Sequence, residues 1–270
     1  MKEPSMPGGR TAGAVRRGTT VVRRGGPWTH AVHSVLRHLE AAGFTGAPHV
    51  IGFETHGQEV LSYLDGHTVG DRLPWPTWVH SDAALTQVGR WLRALHDTTA
   101  AYVPEAGLTW FAGQSWRPGL VIGHHDAAPY NAVWNDDGLV GFVDWDTAGP
   151  SSRDLDLAFT ALSWVPLQPP HVVRPQGFTA FEDRSRRLHL LLDAYGYTGD
   201  RAAFGLTIAH RARMNAAAIK RLAVTGDLTY TALLPTATDL EQAATALENE
   251  PATFWQAHPV RSTTPHPLDD

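Results

Sequence analysis

At roughly 150 residues per domain, 270 residues make one large domain or two modest ones, and 43% hydrophobic with 18% charged residues is the composition of a folded chain. Twenty-two Lys and Arg against 27 Asp and Glu give a formal charge of −5, leaving no excess of cations to neutralise a nucleic-acid backbone. Cysteine is absent, which excludes disulfides, thiolate nucleophiles, Cys-ligated zinc and iron–sulfur clusters; no apolar run approaches the roughly 18 residues of a membrane span, so a soluble, cytoplasmic protein is expected.

The first dozen residues are rich in Pro, Gly and Ser and are expected to be mobile at their tip. Two β-prone runs, 14–17 and 20–24, flank Gly18-Thr19 and predict a hairpin. After Gly25-Gly26-Pro27, the spacing of Val32, Val35, Leu36 and Leu39 predicts a helix that Gly43 stops. Runs 49–53 and 58–64 predict two further strands around Gly57, the second broken by Asp65-Gly66. A stretch with Pro74, Pro76 and two Trp then marks the end of a small first lobe, placing a boundary between 1–66 and 67–270.

From Asp82 onward the pattern is mainly helical. Leu85, Val88, Leu92 and Leu95 form a stripe, and helical periods recur near 153–165, 180–196, 200–225 and 238–249. Between the stripe and those periods lies a β-rich island, 121–145, interrupted by Asn135-Asp136-Asp137-Gly138. The expected fold class is α+β: a small β-rich N-terminal lobe and a larger, mainly helical C-terminal lobe, with a cleft between them as the ligand site.

The island carries the chemistry. It contains Gly123-His124-His125-Asp126-Ala127-Ala128-Pro129-Tyr130-Asn131, then Phe142-Val143-Asp144-Trp145-Asp146. Asp126 and Asn131 precede a hairpin and Asp144 follows it, so the turn brings three oxygen-bearing side chains together. Oxygen-only donors suit Mg²⁺, which is held by one or two carboxylates plus substrate phosphates, and a further carboxylate remains to accept a proton from an attacking hydroxyl. That division of labour belongs to phosphoryl transfer.

His124-x-Asp126 with Asn131 five places later, followed by Val-Asp144-Trp-Asp146, resembles the aminoglycoside phosphotransferase family, a branch of the protein-kinase-like fold that includes choline and macrolide kinases. Arg153-Asp154-Leu155-Asp156-Leu157-Ala158 is similar to the acidic helix start that follows the motif in that family. The resemblance implies that Asp126 is the catalytic base, that His124 packs the catalytic loop, and that Asn131 and Asp144 hold Mg²⁺ against the phosphates of ATP or GTP. It also implies that the backbone of Leu61, Ser62 and Tyr63 meets the nucleotide base and that Gly8 and Gly9 belong to a reduced phosphate loop. In the family a strand Lys grips the phosphates. Here the corresponding run, Thr20 to Arg24, offers only Arg, and Arg23 is chosen over Arg24. Glu40 is the nearest candidate for the helix glutamate that pairs with that cation.

The resulting expectation is an ATP- and Mg²⁺-dependent small-molecule kinase acting on a hydroxyl of a sugar, antibiotic, amino alcohol or nucleoside-like acceptor. The acceptor is expected to be neutral or cationic, because carboxylates crowd the motif. The missing Lys motivates an alternative, a nucleotide- or metabolite-binding pseudokinase without turnover. A zinc site on His124 and His125 is the weakest reading, since adjacent side chains point apart and no H-E-x-x-H spacing completes a shell. Asp146 is weighed evenly between a supporting acid and a second metal or substrate contact. Asp154 and Asp156 are read as helix-start acids, Trp110 and Trp116 as core with a lesser chance of lining an acceptor pocket, and Arg184, Arg186 and Arg187 as a solvated helix face.

Overall fold

The computed structural model describes residues 13–70 and 72–256, so the expectations on Gly8, Gly9 and the N-terminal tip lie outside the described residues. The chain opens with strands β1 (Val15–Arg17) and β2 (Thr20–Arg24), helix α1 (Thr29–Ala41), and strands β3 (Val50–Phe53) and β4 (Gln58–Ser62). These strands form one antiparallel sheet in the order β1-β2-β4-β3. Gly18, at φ 63°, turns the first hairpin in a conformation that glycine adopts without steric cost. Val32, Val35, Leu36 and Leu39 of α1 are all at most 1% exposed, so the stripe read from spacing is the buried face.

Helix α2 (Asp82–Thr99) begins the second part. Ser81 caps it by accepting a hydrogen bond from the Ala84 amide at 3.1 Å, and Leu85, Val88, Leu92 and Leu95 are completely buried. Next come β5 (Val121–Gly123), β6 (Ala132–Asn135), β7 (Gly138–Phe142) and β8 (Gly149–Ser151), followed by α3 (Arg153–Trp164), α4 (Pro170–Val173), α5 (Arg184–Tyr195), α6 (Arg201–Ala223), α7 (Leu228–Ala232) and α8 (Leu234–Glu248). Helices α6 and α8 pack together, as do α2 and α5, and α3 lies against α6.

The β-rich island is two ribbons rather than one. β6 and β7 form the hairpin, whereas β5 pairs with β8, a three-residue strand that sequence pattern did not disclose. A Gly-Pro-Ser segment has little β propensity; the two chain crossings on either side of the hairpin make it a strand. Likewise the strand expected to reach residue 64 ends at Ser62, and α4 and α7 are too short to show a helical period. The loop before β3 packs on the hairpin through Gly46: its carbonyl accepts from the Phe142 amide at 3.1 Å and the Trp91 indole at 3.2 Å. A Cβ at Gly141 would lie 2.2 Å from that carbonyl oxygen, so only glycine permits the approach. No helix among the described residues is long and apolar enough to cross a membrane.

Candidate active site

The loop between β5 and β6 is built around Asp156, one turn into α3. Asp156 is 1% exposed and accepts hydrogen bonds from the backbone amides of His124 (3.1 Å) and His125 (2.7 Å) and from Nε2 of His96 on α2 (2.9 Å). Burial alone would raise its pKa, but the His96 hydrogen bond and the charges of His125, His96 and Arg211 hold it well below the usual carboxylate range. Asp156 does lie in the first turn of α3, as expected, but its role there is wider than a helix-start acid: Ser152 caps α3, accepting from the Leu155 amide at 3.2 Å, and Asp156 anchors the loop. Gly123 makes this possible, since a Cβ there would sit 2.6 Å from the Asp156 carboxyl carbon. Asp154 lies apart from this network, accepting from the Tyr197 hydroxyl at 3.5 Å.

The two histidines of the loop are buried and turned inward. His124 accepts from the Asp126 amide through Nδ1 (3.3 Å) and donates through Nε2 to the Val143 carbonyl (3.2 Å), with its ring against Trp145. His125 adopts a left-handed φ of 65°, donates through Nε2 to the Gly149 carbonyl (3.2 Å) and accepts through Nδ1 from Arg211 of α6 (3.0 Å). Burial lowers the pKa of His124 to about 4, and burial plus the Arg211 charge does the same for His125. Both rings have their nitrogens committed inside the protein. Among the described residues there is no group of three or more His, Asp or Glu arranged to hold a metal.

Asp126 stands at the front of this scaffold. Its Oδ1 accepts from the Tyr130 hydroxyl (2.6 Å) and its Oδ2 from Asn131 Nδ2 (2.8 Å). Burial is the main reason its carboxyl is pushed up to about 7, with the Asp144 charge adding to the rise and the two hydrogen bonds opposing it. Because Asn131 spends its NH₂ on Asp126, its carbonyl oxygen is the end left to act as a donor to a cation. Asp144, beyond β7 in a left-handed conformation (φ 61°), is the facing carboxylate. Asn131 and Asp144 thus supply oxygen only, which fits Mg²⁺ completed by phosphate and water oxygens.

Arg23 reaches this group from β2. Its Nη1 contacts Asp144 Oδ1 at 3.1 Å, Nη2 contacts Asp146 Oδ1, and Nε contacts Glu59 Oε1 at 2.7 Å. Burial disfavours its charge, but Asp146, Glu59 and Asp144 more than offset that and raise its pKa. Arg24, next along the strand, is exposed. The partner expected for this cation, Glu40, is elsewhere: it pairs with His49 at 2.7 Å, and both side chains are about half exposed. Glu59, directly opposite Arg23 in the β2–β4 ladder, takes that place, and His33 of α1 holds its other oxygen at 2.7 Å. Alternation along β4 could have indicated Glu59, whereas nothing local marks His33, Asp156 or Arg211.

At the end of β4 the Ser62 amide donates to the His49 carbonyl (2.9 Å) and the Tyr63 amide to the Thr19 carbonyl (2.8 Å), while Leu61 lies between β2 and β3. Those two amides are consumed by the sheet, so a base meeting Leu61 to Tyr63 would find carbonyls rather than donors there. The arginine cluster is corrected in part. Arg184 pairs with Glu250 and Arg186 with Asp82 and Asp183, but Arg187 is 5% exposed and bonds the carbonyls of His80 and Trp164. Trp110 is buried and Trp116 half-buried.

Residues 108–190, spanning the loop, the hairpin and α3, match the phosphotransferase enzyme family. The trifolitoxin immunity protein of Rhizobium leguminosarum bv. trifolii is 40% identical over 194 residues, 70% of this chain and 72% of that protein. A choline/ethanolamine kinase family protein from Mesorhizobium loti superposes with a TM-score of 0.61 at 18% identity, covering 92% of this chain and 89% of its own. The amicoumacin kinase complex with AMP-PNP, Ca²⁺ and its ligand superposes at 0.60 and 12% identity, covering 86% and 84%. These two structures share the kinase-like fold, a strand-rich N-terminal part on a mostly helical C-terminal part, and it is on this fold that Asp156 holds the Asp126 loop opposite Asp144. By its matched residues and its curated relative, the chain belongs to the phosphotransferase enzyme family.

Proposed function

We propose that the chain transfers the γ-phosphoryl group of a purine nucleoside triphosphate to a hydroxyl of a small molecule, and that the product is an inactivated toxin or antibiotic. The observation that carries this reading is the convergence of Asp126, Asn131, Asp144 and Arg23 from a loop, a hairpin end and a strand. Asp126 orients the acceptor hydroxyl and takes its proton. Asn131 keeps that carboxylate in place through its Nδ2, and Asn131 and Asp144 would hold Mg²⁺, which supplies charge neutralisation on the phosphates. Arg23 lies beside Asp144, and its terminal nitrogens would meet the same phosphates there. No residue needs to form a covalent intermediate, so catalysis rests on positioning and electrostatics.

The immunity role of the relative supports resistance as the biological setting. The acceptor is neutral or cationic: Asp126, Asp144 and Asp146 gather at the cleft, and the arginines of α5 are spent on acids and carbonyls. The test is transfer from labelled ATP and GTP to a panel of amino sugars, peptides, amino alcohols, neutral polyols and phosphorylated compounds. Transfer to a neutral or cationic member supports the reading. A preference for phosphorylated acceptors refutes the charge argument, and nucleotide binding without transfer to any member favours the pseudokinase.

A further inference from the structure

Protein kinases hold their phosphate-binding lysine with a glutamate on the neighbouring helix, and the position of that helix decides whether the pair forms. Helix α1 has a single acid, Glu40, which is engaged with His49 at the surface. The carboxylate that holds Arg23 comes instead from β4. Arg23 and Glu59 are direct partners in an antiparallel ladder, so the sheet sets their separation whatever α1 does. Glu59 is 1% exposed and has two oxygens to satisfy; Arg23 Nε takes one at 2.7 Å and His33 Nε2 takes the other at 2.7 Å. His33 is itself completely buried, and its Nδ1 has no partner among the described residues, so Glu59 is its one hydrogen-bond contact there.

We propose that His33 and Glu59 are positioning residues that set the Arg23 guanidinium for the nucleotide phosphates, in a buried relay running from α1 through β4 to β2. The inference rests on the reading of Arg23 given under Proposed function. With Nε fixed on Glu59, the planar guanidinium has its two terminal nitrogens left, and these are held on Asp144 and Asp146, the carboxylates beside which the phosphates would lie. A lysine would have to share one nitrogen between the carboxylate and the phosphates, whereas arginine divides the two tasks among separate nitrogens of a fixed plane. If His33 is removed, a buried carboxylate oxygen loses its donor. Glu59 then regains that bond only by turning, which releases Arg23.

The experiment is calorimetric titration of each folded variant with Mg²⁺–ATP and Mg²⁺–GTP, so that affinity is read without turnover. Arg23→Ala and Glu59→Gln should each weaken binding by about tenfold or more, the worth of a charge-assisted hydrogen bond. His33→Leu should weaken it by about threefold to tenfold. His33→Gln, whose amide nitrogen approximates Nε2, should return to within about twofold of the wild type. Absence of binding by the wild type, or wild-type affinity in Arg23→Ala, overturns the reading of Arg23 on which the relay rests. Weakening in Arg23→Ala with wild-type affinity in Glu59→Gln and His33→Leu overturns the relay alone, as does a His33→Gln variant no better than His33→Leu. Should Glu59→Gln fail to fold, the His33 pair decides.

Discussion

The loop that carries Asp126 and the small-lobe sheet that carries Arg23 both bring an ionisable side chain to the neighbourhood of Asp144, but they hold it by different means. The loop is held by its main chain: Asp156 accepts from two consecutive amides, and Arg211 donates to the His125 carbonyl at 3.0 Å. Its side chains are then free for chemistry at one end and for packing at the other. Arg23 on the sheet is held by side chains alone, by Glu59 with His33 behind it and by Asp144 and Asp146, on a backbone whose hydrogen bonds belong to the ladder. A group held through the backbone is placed by the fold as a whole, whereas one held through side chains depends on each partner singly.

The largest effect is expected at Asp126, on the backbone-held loop. Asp126→Ala should lower turnover by about a thousandfold or more while nucleotide affinity stays near wild type, because the base acts on the acceptor. Steady-state kinetics with calorimetry would check this, and retention of a tenth of the wild-type rate would exclude Asp126 as the base. Asp156→Ala tests the anchor beneath it. Leaving two buried amides and His96 without their acceptor should cost about 3–5 kcal/mol of stability, measured by urea denaturation, and should abolish transfer in whatever fraction folds.

Acidification should loosen the same loop by a smaller amount. His124 and His125 titrate near 4 in the folded protein, whereas in the unfolded chain they take up protons near 6.5, so the unfolded state binds more protons between those values. Stability should therefore fall as pH drops from 6.5 towards 4, at up to about 1.4 kcal/mol per pH unit for each net proton. Asp126 opposes this, since its raised value means that the folded state gains a proton below about 7. Asp126→Asn should accordingly steepen the fall; an unchanged slope would contradict the raised value of Asp126, and stability that does not fall between pH 6.5 and 4 in that variant would contradict the assignment of buried neutral histidines. The smallest effect is expected away from both regions. Arg186, about half exposed and paired with Asp82 and Asp183, should cost about 0.5 kcal/mol or less when changed to Ala.

The hydrophobic stripes of α1 and α2, the hairpin around Gly18 and the Asp126, Asn131 and Asp144 motif were all legible in the sequence. Each is local: a period, a turn residue or a fixed spacing is enough to place it. Legibility failed where the partner is distant or the element too short for a pattern. Glu40 was the reasonable helix acid by position, yet its neighbour proved to be His49, while a strand residue opposite Arg23 supplied the carboxylate. Asp156 read as a helix-start acid because acids do favour that position. That reading was incomplete, since nothing in α3 announces that the amides of residues 124 and 125 lie above it.

By itself the sequence determined the longer helices and the main strands, which residue types gather around the β6–β7 hairpin, and hence the class of chemistry. These follow from side-chain periodicity and from the short reach of a turn. Only the tertiary structure decided who holds whom. The Glu59 partner of Arg23, the His33 contact behind it, the commitment of Asp156 to the catalytic loop and the burial of Arg187 all join residues far apart in the chain. The physical reason is that a buried charged or polar group must find a partner wherever packing brings one, and packing is a property of the whole fold.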